Sequence, residues 1–178
     1  MTTLETLLHD PDTAGVWNLV PDRSTIGFKI KNMWGLLPVK GRFDEFSGDG
    51  QLTAKGAVFG RIDIRVASLH TGIGRRDRHL LSADFFDAER FPEISVVVTG
   101  LEPTSGKAAD LRTSFTIKGT THEVSLPVTI TELGDGAIRI AGETKVDRAQ
   151  FGVDWNKAGV MAEAATVSAE AIFVRAPS

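Results

Sequence analysis

Histidines and aspartates are the residues of this sequence best suited to metal binding or acid–base chemistry. The four histidines are His9, His70, His79 and His122. No two of them have the i, i+2 or i+4 spacing by which one strand or helix presents a chelating pair. His70 and His79 could still meet Asp77 or Asp84 in space, so a metal site or an acid–base pair there stays an open alternative. The simpler interpretation, which we adopt, is that the aspartates cap helix ends or pair with neighbouring arginines, with no metal bound.

Other catalytic and cofactor motifs fail on their spacing. Residues 100–107, GLEPTSGK, resemble a phosphate-binding loop, but five residues separate Gly100 from Gly106 where the motif has four. Ala108 also stands where the motif requires Ser or Thr. The chain has no cysteine, which excludes disulfides, zinc–thiolate sites and a thiol nucleophile. A net charge of -3 without a basic stripe argues against nucleic-acid binding.

Strands with period-two alternation are the elements that would position any such groups. In residues 24–31, STIGFKIK, the side chains of Ile26, Phe28 and Ile30 face one way and the lysines face the other. The same alternation gives further inward-facing sets, namely Val39, Gly41 and Phe43; Ile62, Ile64 and Val66; Leu111, Thr113, Phe115 and Ile117; and Val124, Leu126, Val128 and Ile130. Many short strands at hairpin spacing predict an all-β, antiparallel barrel of about eight strands.

Glycines between and within these runs carry turn signals. The Asp-Gly pairs in Gly48–Gly50 and Gly134–Gly136 tolerate positive φ, so both are predicted to be hairpin turns. Gly119 is available for another tight turn. Gly41 lies in the middle of a strand and predicts a bulge or a close approach of neighbouring atoms.

Two segments break the alternation. In residues 75–94, RRDRHLLSADFFDAERFPEI, the spacing of Leu81, Phe85 and Ala88 predicts one apolar helical face. In residues 146–153, VDRAQFGV, Asp147 can cap a single turn that Gly152 closes, with Phe151 pointing into whatever the turn covers.

Aromatic residues concentrate on these connections. Phe85, Phe86 and Phe151 lie on the two non-strand segments, and Trp34 lies on a third apolar connection with Leu36 and Leu37. Such loops cover either the protein's own core or an apolar ligand. An eight-stranded barrel is wide enough to be filled by side chains or to hold one small ligand, and a hydrocarbon-lined cavity would suit a long apolar chain. A filled structural barrel therefore remains an alternative.

The N-terminal residues are predicted to form an extension that precedes the barrel. Residues 1–16 are predicted to precede the domain as an N-terminal extension, in which Leu4, Leu7 and Leu8 have helical spacing and Pro11 would end the helix. This stretch has neither the basic start nor the continuous apolar core of a secretory signal, so we expect a cytoplasmic protein.

Five segments together resemble a known family. They are VPDRSTIGFKIKN, VKGRFDEFSGDG, SLHTGIGRRDRHLLSADFFDAERFPEI, FTIKGTTHEVSLPV and VDRAQFGV, and they occur in this order. The chain from about Trp17 to residue 178 is similar to the YceI-like family of polyisoprenoid-binding, lipocalin-like proteins. The resemblance implies a lipocalin-like barrel with a short helical lid segment and an internal channel for a polyisoprenoid or an isoprenoid quinone.

The resemblance also implies the way in which the protein works. It implies a frequent homodimer, at most transient membrane contact, no required cofactor and no characterised catalysis, so we predict that the protein is not an enzyme. An enzyme acting on a lipophilic substrate at the barrel mouth, with Asp77, His79 or Asp84, is the alternative. The predicted ligand-binding residues are Ile26, Phe28, Ile30, Trp34, Phe43, Leu80, Leu81, Phe85, Phe86, Phe115, Ile117 and Phe151. Asn32 stands where family members often have His, which changes any head-group contact made there.

Overall fold

The computed structural model describes residues 4–32, 37–156 and 161–177. The described residues form two helices, α1 (Leu4–Leu8) and α2 (Gly74–Leu81). The strands are β1 (Gly15–Leu19), β2 (Thr25–Asn32), β3 (Leu37–Phe43), β4 (Phe46–Leu52), β5 (Val58–Arg65), β6 (Leu69–His70), β7 (Glu93–Ser105), β8 (Ala108–Ile117), β9 (Thr120–Glu132), β10 (Ile138–Asp147) and β11 (Ala164–Arg175). Short 3₁₀ turns lie at Pro21–Arg23, Val66–Ser68 and Arg148–Phe151.

The strands close into an antiparallel barrel. Eight of those described form the ring β1-β4-β5-β7-β8-β9-β10-β11, which closes because β11 pairs with β1. β11 also pairs with β2, and β2 pairs with β3. The successive strands β1 and β2 therefore act as one bent strand, and β3 and β4 act as another. Both bent strands extend the barrel wall. The predicted eight-stranded, all-β barrel is confirmed.

Alternating burial along the strands gives the barrel its apolar interior. In β8 the buried positions are Ala109, Leu111, Thr113, Phe115 and Ile117. Residues at every second position of a strand point to the same face, so this face is the barrel interior and the intervening polar residues face outwards. The alternation predicted from the sequence is confirmed for this strand.

Turn chemistry was predicted well at two hairpins and wrongly at one. Lys118 and Gly119 have φ values of 52° and 76° in the tight turn between β8 and β9, and Gly136 has a φ of 83° between β9 and β10. Gly48–Gly50 instead lies inside β4, where Gly50 pairs with Gly60 of β5. A Cβ on Gly48 would come within 2.7 Å of the Arg61 carbonyl oxygen, so this glycine serves close strand packing.

Gly41 provides the close approach that its position predicts. Gly41 is the cross-strand partner of Phe28, and a Cβ on Gly41 would lie 2.5 Å from Cζ of the Phe28 ring. The ring therefore lies directly over the glycine, and the missing side chain at Gly41 positions Phe28 on the inner face of the wall.

Each end of the barrel has its own apolar closure. We call the end with Phe115 and Ile117 of β8 the upper end, and the end with Ala109 and Leu111 the lower end. α2 and residues 82–91, which we call the lid, pack with the core at the upper end. α1, within the predicted extension of residues 1–16, packs its three leucines at the lower end, and we call it the floor.

Candidate ligand-binding cavity

An apolar cavity of about 180 Å³ lies inside the upper part of the barrel. Side chains from strands all around the barrel line it. Of the residues predicted to bind a ligand, those in its wall are Ile26, Phe28, Ile30, Phe43, Phe86, Phe115, Ile117 and Phe151. Six of these side chains were predicted from strand alternation and two, Phe86 and Phe151, from the non-strand segments, and the structure brings all eight to one cavity.

Further wall residues follow from the same alternation, although the sequence analysis did not name them as ligand-binding residues. They include Ile62, Ile64, Ile94, Val96, Val98, Leu111, Leu126, Val128, Ile140, Val146, Ala165, Val167, Ala169, Ala171 and Phe173. Because nearly all of this wall is hydrocarbon, the cavity offers dispersion contacts and offers few groups that could solvate a polar molecule.

Three phenylalanines form the upper wall of the cavity. The ring centroids of Phe28 and Phe43 are 5.7 Å apart, and the Phe86 ring lies 6.1 Å from each of them in an edge-on arrangement. Phe86 belongs to the lid, whereas Phe28 and Phe43 belong to neighbouring strands. The lid therefore contributes one aromatic side chain directly to the cavity.

The second non-strand segment closes the cavity as predicted. Asp147 Oδ1 accepts a hydrogen bond of 2.9 Å from the Ala149 backbone N–H, and Gly152 ends the turn with a φ of 71°. This turn buries Phe151 to 2% exposure and places it in the cavity wall. The edge-on contact of the His122 ring, at 5.2 Å between centroids, fixes Phe151 from the other side.

The rest of the lid differs from the prediction. Leu80, Leu81 and Phe85 pack on the upper core but do not belong to the residues that line the cavity. Phe85 is held against the rings of His79 and Trp155, at 5.1 Å and 5.3 Å between centroids. The three side chains therefore lie in the upper core, outside the set of residues that line the cavity. Trp34 lies outside the described residues.

The predicted helical face of the lid is also shorter than its spacing indicates. α2 ends at Leu81, and the chain then turns, with Phe85 N–H donating to the Ser82 carbonyl and Asp87 at a φ of 51°. Leu81, Phe85 and Ala88 therefore reach the core from successive turns and not from one helix.

Arg148 is the charged residue among those that line the cavity, and the sequence argument missed it. Its side chain is 5% exposed. Nη1 donates to the Val153 carbonyl at 2.8 Å, and Nε donates to the Ala162 carbonyl at 3.0 Å. Burial lowers the pKa of Arg148, and the charges of nearby Asp147, Asp154 and Glu163 act against that shift. A guanidinium stays protonated in proteins, so a positive charge lies beside the apolar cavity.

The histidines and aspartates of the lid form two separate pairs. His79 Nε2 lies 2.8 Å from Asp84 Oδ2, and His70 Nδ1 lies 3.8 Å from Asp77 Oδ2. Burial alone would raise the pKa of Asp77, but hydrogen bonds from Thr71 outweigh it and the pKa is lowered. Within the described ranges no group of three or more His, Cys, Asp or Glu residues is placed to hold a metal ion.

A second apolar cavity, of about 110 Å³, lies at the lower end. We call it the lower chamber and the first cavity the upper chamber. Leu4, Leu7 and Leu8 of the floor line the lower chamber together with Trp17. The wall residues that the two chambers share are Ile62, Val98, Leu111, Ile140 and Phe173. Both chambers therefore belong to one apolar interior.

Comparisons with known proteins relate this chain to a group of bacterial sequences. The family model described as YceI-like domain matches residues 17–173. A UPF0312 protein of Pseudomonas fluorescens is 32% identical over 140 residues, which cover 71% of this chain and 70% of the relative. A UPF0312 protein of Pseudomonas putida is 29% identical over 143 residues, which cover 79% of this chain and 73% of the relative.

Solved structures share the fold. BcnA of Burkholderia cenocepacia aligns with a TM-score of 0.80 at 24% identity, covering 86% of this chain and 98% of BcnA. A polyisoprenoid binding domain from Saccharophagus degradans, implicated in plant cell wall breakdown, aligns with a TM-score of 0.74 at 14% identity, covering 90% of this chain and 98% of that domain. In the described part of this chain, no helix is long and apolar enough to cross a membrane.

Proposed function

Because the chain belongs to the YceI-like family, we propose that it binds the hydrocarbon tail of an isoprenoid-type lipid inside its barrel. The observation that carries this proposal is the hydrocarbon-lined upper chamber of about 180 Å³. A barrel whose side chains met in the middle would have no such space, so the chamber weighs against the filled structural barrel. A polyisoprenoid binding domain with the same fold supports this class of ligand.

The volume of the upper chamber sets how much ligand it holds. An engineered protein cavity of about 150 Å³ binds benzene, which has six carbons. The upper chamber is slightly larger, so it takes about one five-carbon isoprene unit. A polyprenyl chain therefore needs further space, which side-chain movement or the lower chamber has to supply.

The polar end of the ligand fits best beside Arg148. Arg148 lines the chamber, and its guanidinium donates to backbone carbonyls, without a carboxylate in ion-pair contact among the described residues. A phosphate would gain a charge-assisted hydrogen bond there, and a quinone carbonyl would gain a neutral one. We therefore propose polyprenyl phosphates and isoprenoid quinones as ligands, with the phosphate favoured by charge.

A carrying, storing or sensing role suits this site better than catalysis. His79 and Asp84 form a close pair, but neither lines either chamber. Transfer of an isoprene unit from water gains about 3–4 kcal/mol, at ~0.8 kcal/mol per CH₂ group. A bilayer offers the same gain, so the protein competes with membranes through shape fit and the head-group contact.

Assembly and location are part of the proposal. We propose a homodimer, since two-fold dimers are the commonest soluble oligomers, and light scattering at several concentrations tests it. We propose a cytoplasmic location with at most transient membrane contact. Fractionation of cells that make the native chain tests both, and stable recovery with membranes would contradict them.

Mass spectrometry of a solvent extract tests the proposed ligand. The protein is purified gently without added lipid, and the extract is compared with that of Phe115→Asp, in which a carboxylate enters the chamber wall. We expect a prenyl lipid from the native protein and none from the variant. A clean extract from native protein, together with no uptake from vesicles that contain prenyl lipids, would refute the proposal.

A further inference from the structure

The floor of the barrel is formed by residues outside the matched family domain. α1 spans Leu4–Leu8, whereas the YceI-like match covers residues 17–173. The three leucines of α1 are at most 8% exposed and line the lower chamber. The lower end of the apolar interior is thus closed by a segment that adds to the common domain.

The two chambers adjoin at five shared wall residues. The five wall residues that they share come from β5, β7, β8, β10 and β11, so they form a ring around the barrel axis. They are Ile62, Val98, Leu111, Ile140 and Phe173. Rotamer changes of such side chains take place within nanoseconds to microseconds, so the ring can admit a thin hydrocarbon chain without unfolding a strand.

Hydrogen bonds fix the floor to the barrel on the side next to β1. Arg175 Nε donates to the Ala14 carbonyl at 3.0 Å, and Trp17 Nε1 donates to the Thr13 carbonyl at 2.9 Å, which fixes the end of the segment to the barrel. Before this anchor, His9 and Asp10 donate to carbonyls of Glu5 and Leu7 within the segment itself. The three leucines of α1 pack against the apolar residues at the lower end of the barrel.

The lid is held in a different way. Lys118 Nζ donates to the Ala83 carbonyl at 3.0 Å and to the Gly152 carbonyl at 3.1 Å, so it ties both upper segments to the β8–β9 turn. The lid therefore has directional hydrogen bonds to this turn in addition to its apolar packing.

We propose that the lower chamber is the distal part of the ligand site, and that α1 is a movable floor that sets the chain length the barrel accepts. This inference rests on the proposed function. A chain of about one isoprene unit fills the upper chamber, a second unit enters the lower chamber through the ring, and a longer chain displaces Leu4, Leu7 and Leu8. The floor thus acts as a ruler for prenyl chains.

A length series of prenyl alcohols tests the ruler. Binding of geraniol, farnesol and geranylgeraniol is titrated into the full-length protein, Leu7→Ala and Leu80→Ala. Leu80 is a matched control, because it is a buried leucine of the other helix that lines neither chamber. We expect Leu7→Ala to bind geranylgeraniol at least about fivefold more tightly, because the carbons removed leave room for ligand carbons, and to bind geraniol within twofold of the native affinity.

A thiol probe follows the floor directly and does not depend on the folding of Leu7→Ala. The chain has no cysteine, so Leu8→Cys carries a single thiol. We expect this thiol to react several-fold faster with a water-soluble disulfide reagent when geranylgeraniol is bound than when geraniol is bound.

The outcomes separate the two proposals. An equal effect of Leu7→Ala on all chain lengths, the same length dependence in Leu80→Ala, or a thiol rate independent of the ligand would overturn the ruler alone. Failure of every prenyl alcohol to bind would overturn the proposed function, and the ruler with it.

Discussion

Filling the upper chamber from inside the wall should remove lipid binding while the fold remains. Ala169 of β11 lines the chamber, and its cross-strand partners Gly142 and Ile26 lie in the same wall. Ala169→Phe adds a phenyl group, which is about the size of the benzene that fits a cavity of about 150 Å³. The chamber of about 180 Å³ is therefore largely occupied by the new ring.

Two effects of similar size act on the stability of this variant. Burying the ring gains about 1.5–3 kcal/mol, and imperfect packing costs about 1–3 kcal/mol. The free energy of unfolding should therefore change by no more than about 2 kcal/mol. The variant has no space for one isoprene unit, whose transfer from water contributes about 3–4 kcal/mol to binding. The affinity for geraniol in water should therefore fall at least about 100-fold.

A matched variant on the outside of the barrel controls for the added phenyl group. Ala141 of β10 is paired with Glu170 and Thr129, both exposed, so its side chain faces outwards. Ala141→Phe should bind geraniol within twofold of the native protein. Calorimetric titration measures the affinities, and thermal unfolding checks the fold. A cooperatively folded Ala169→Phe that binds geraniol with native affinity would refute the assignment of the chamber as the binding site.

Three further predictions concern the ends of the chamber. Arg148→Met leaves the carbonyls of Val153, Ala162 and Trp155 without this donor, so unfolding should become about 2–4 kcal/mol easier. Binding of farnesyl phosphate should weaken at least tenfold more than that of farnesol. Equal losses in titrations of both ligands would exclude a head-group role. The lowered pKa of Asp77 stabilises the fold at pH values above the ordinary aspartate pKa. The difference in melting temperature between the native protein and Asp77→Asn should therefore be full at neutral pH and vanish as the pH falls through the folded-state pKa. A difference that is unchanged in acid would contradict this. Lys118→Met should speed ligand release several-fold in a stopped-flow experiment, whereas Lys107→Met on an exposed turn should not; equal rates would show that Lys118 does not hold the lid.

The barrel and most of its wall could be predicted because both depend on local pattern. Alternation at Ile26, Phe28 and Ile30 determines which face of β2 is buried, and strand pairing then brings that face to the cavity. The turn at Phe151 was predictable for a similar reason, since Asp147 and Gly152 act within a few residues of one another.

The predicted positions of side chains that differ from the structure depend on contacts between segments distant in sequence. Leu81, Phe85 and Ala88 have helical spacing, but the positive φ of Asp87 and the turn after Ser82 send Phe85 against His79 and Trp155. Spacing alone does not contain these contacts, so the sequence argument placed Phe85 in the cavity wall.

The burial of Arg148 at the other side of the chamber could not be predicted from its charge. A lone arginine in a polar turn ordinarily lies in solvent, and the backbone carbonyls of Val153, Ala162 and Trp155 make the burial of Arg148 tolerable. The position of α1 was hidden in the same way. Leucine spacing predicted a helix, but which end of the barrel it closes is set by packing with Leu52, Leu111 and Ile130.

Locating a bound ligand tests the central claim most directly. Crystals grown with a prenyl alcohol that carries bromine near its tail would reveal the bromine by anomalous scattering. We expect one strong peak inside the barrel, within the upper or the lower chamber. Bromine found only on the outer surface of the barrel, with the interior empty at saturating ligand, would contradict it.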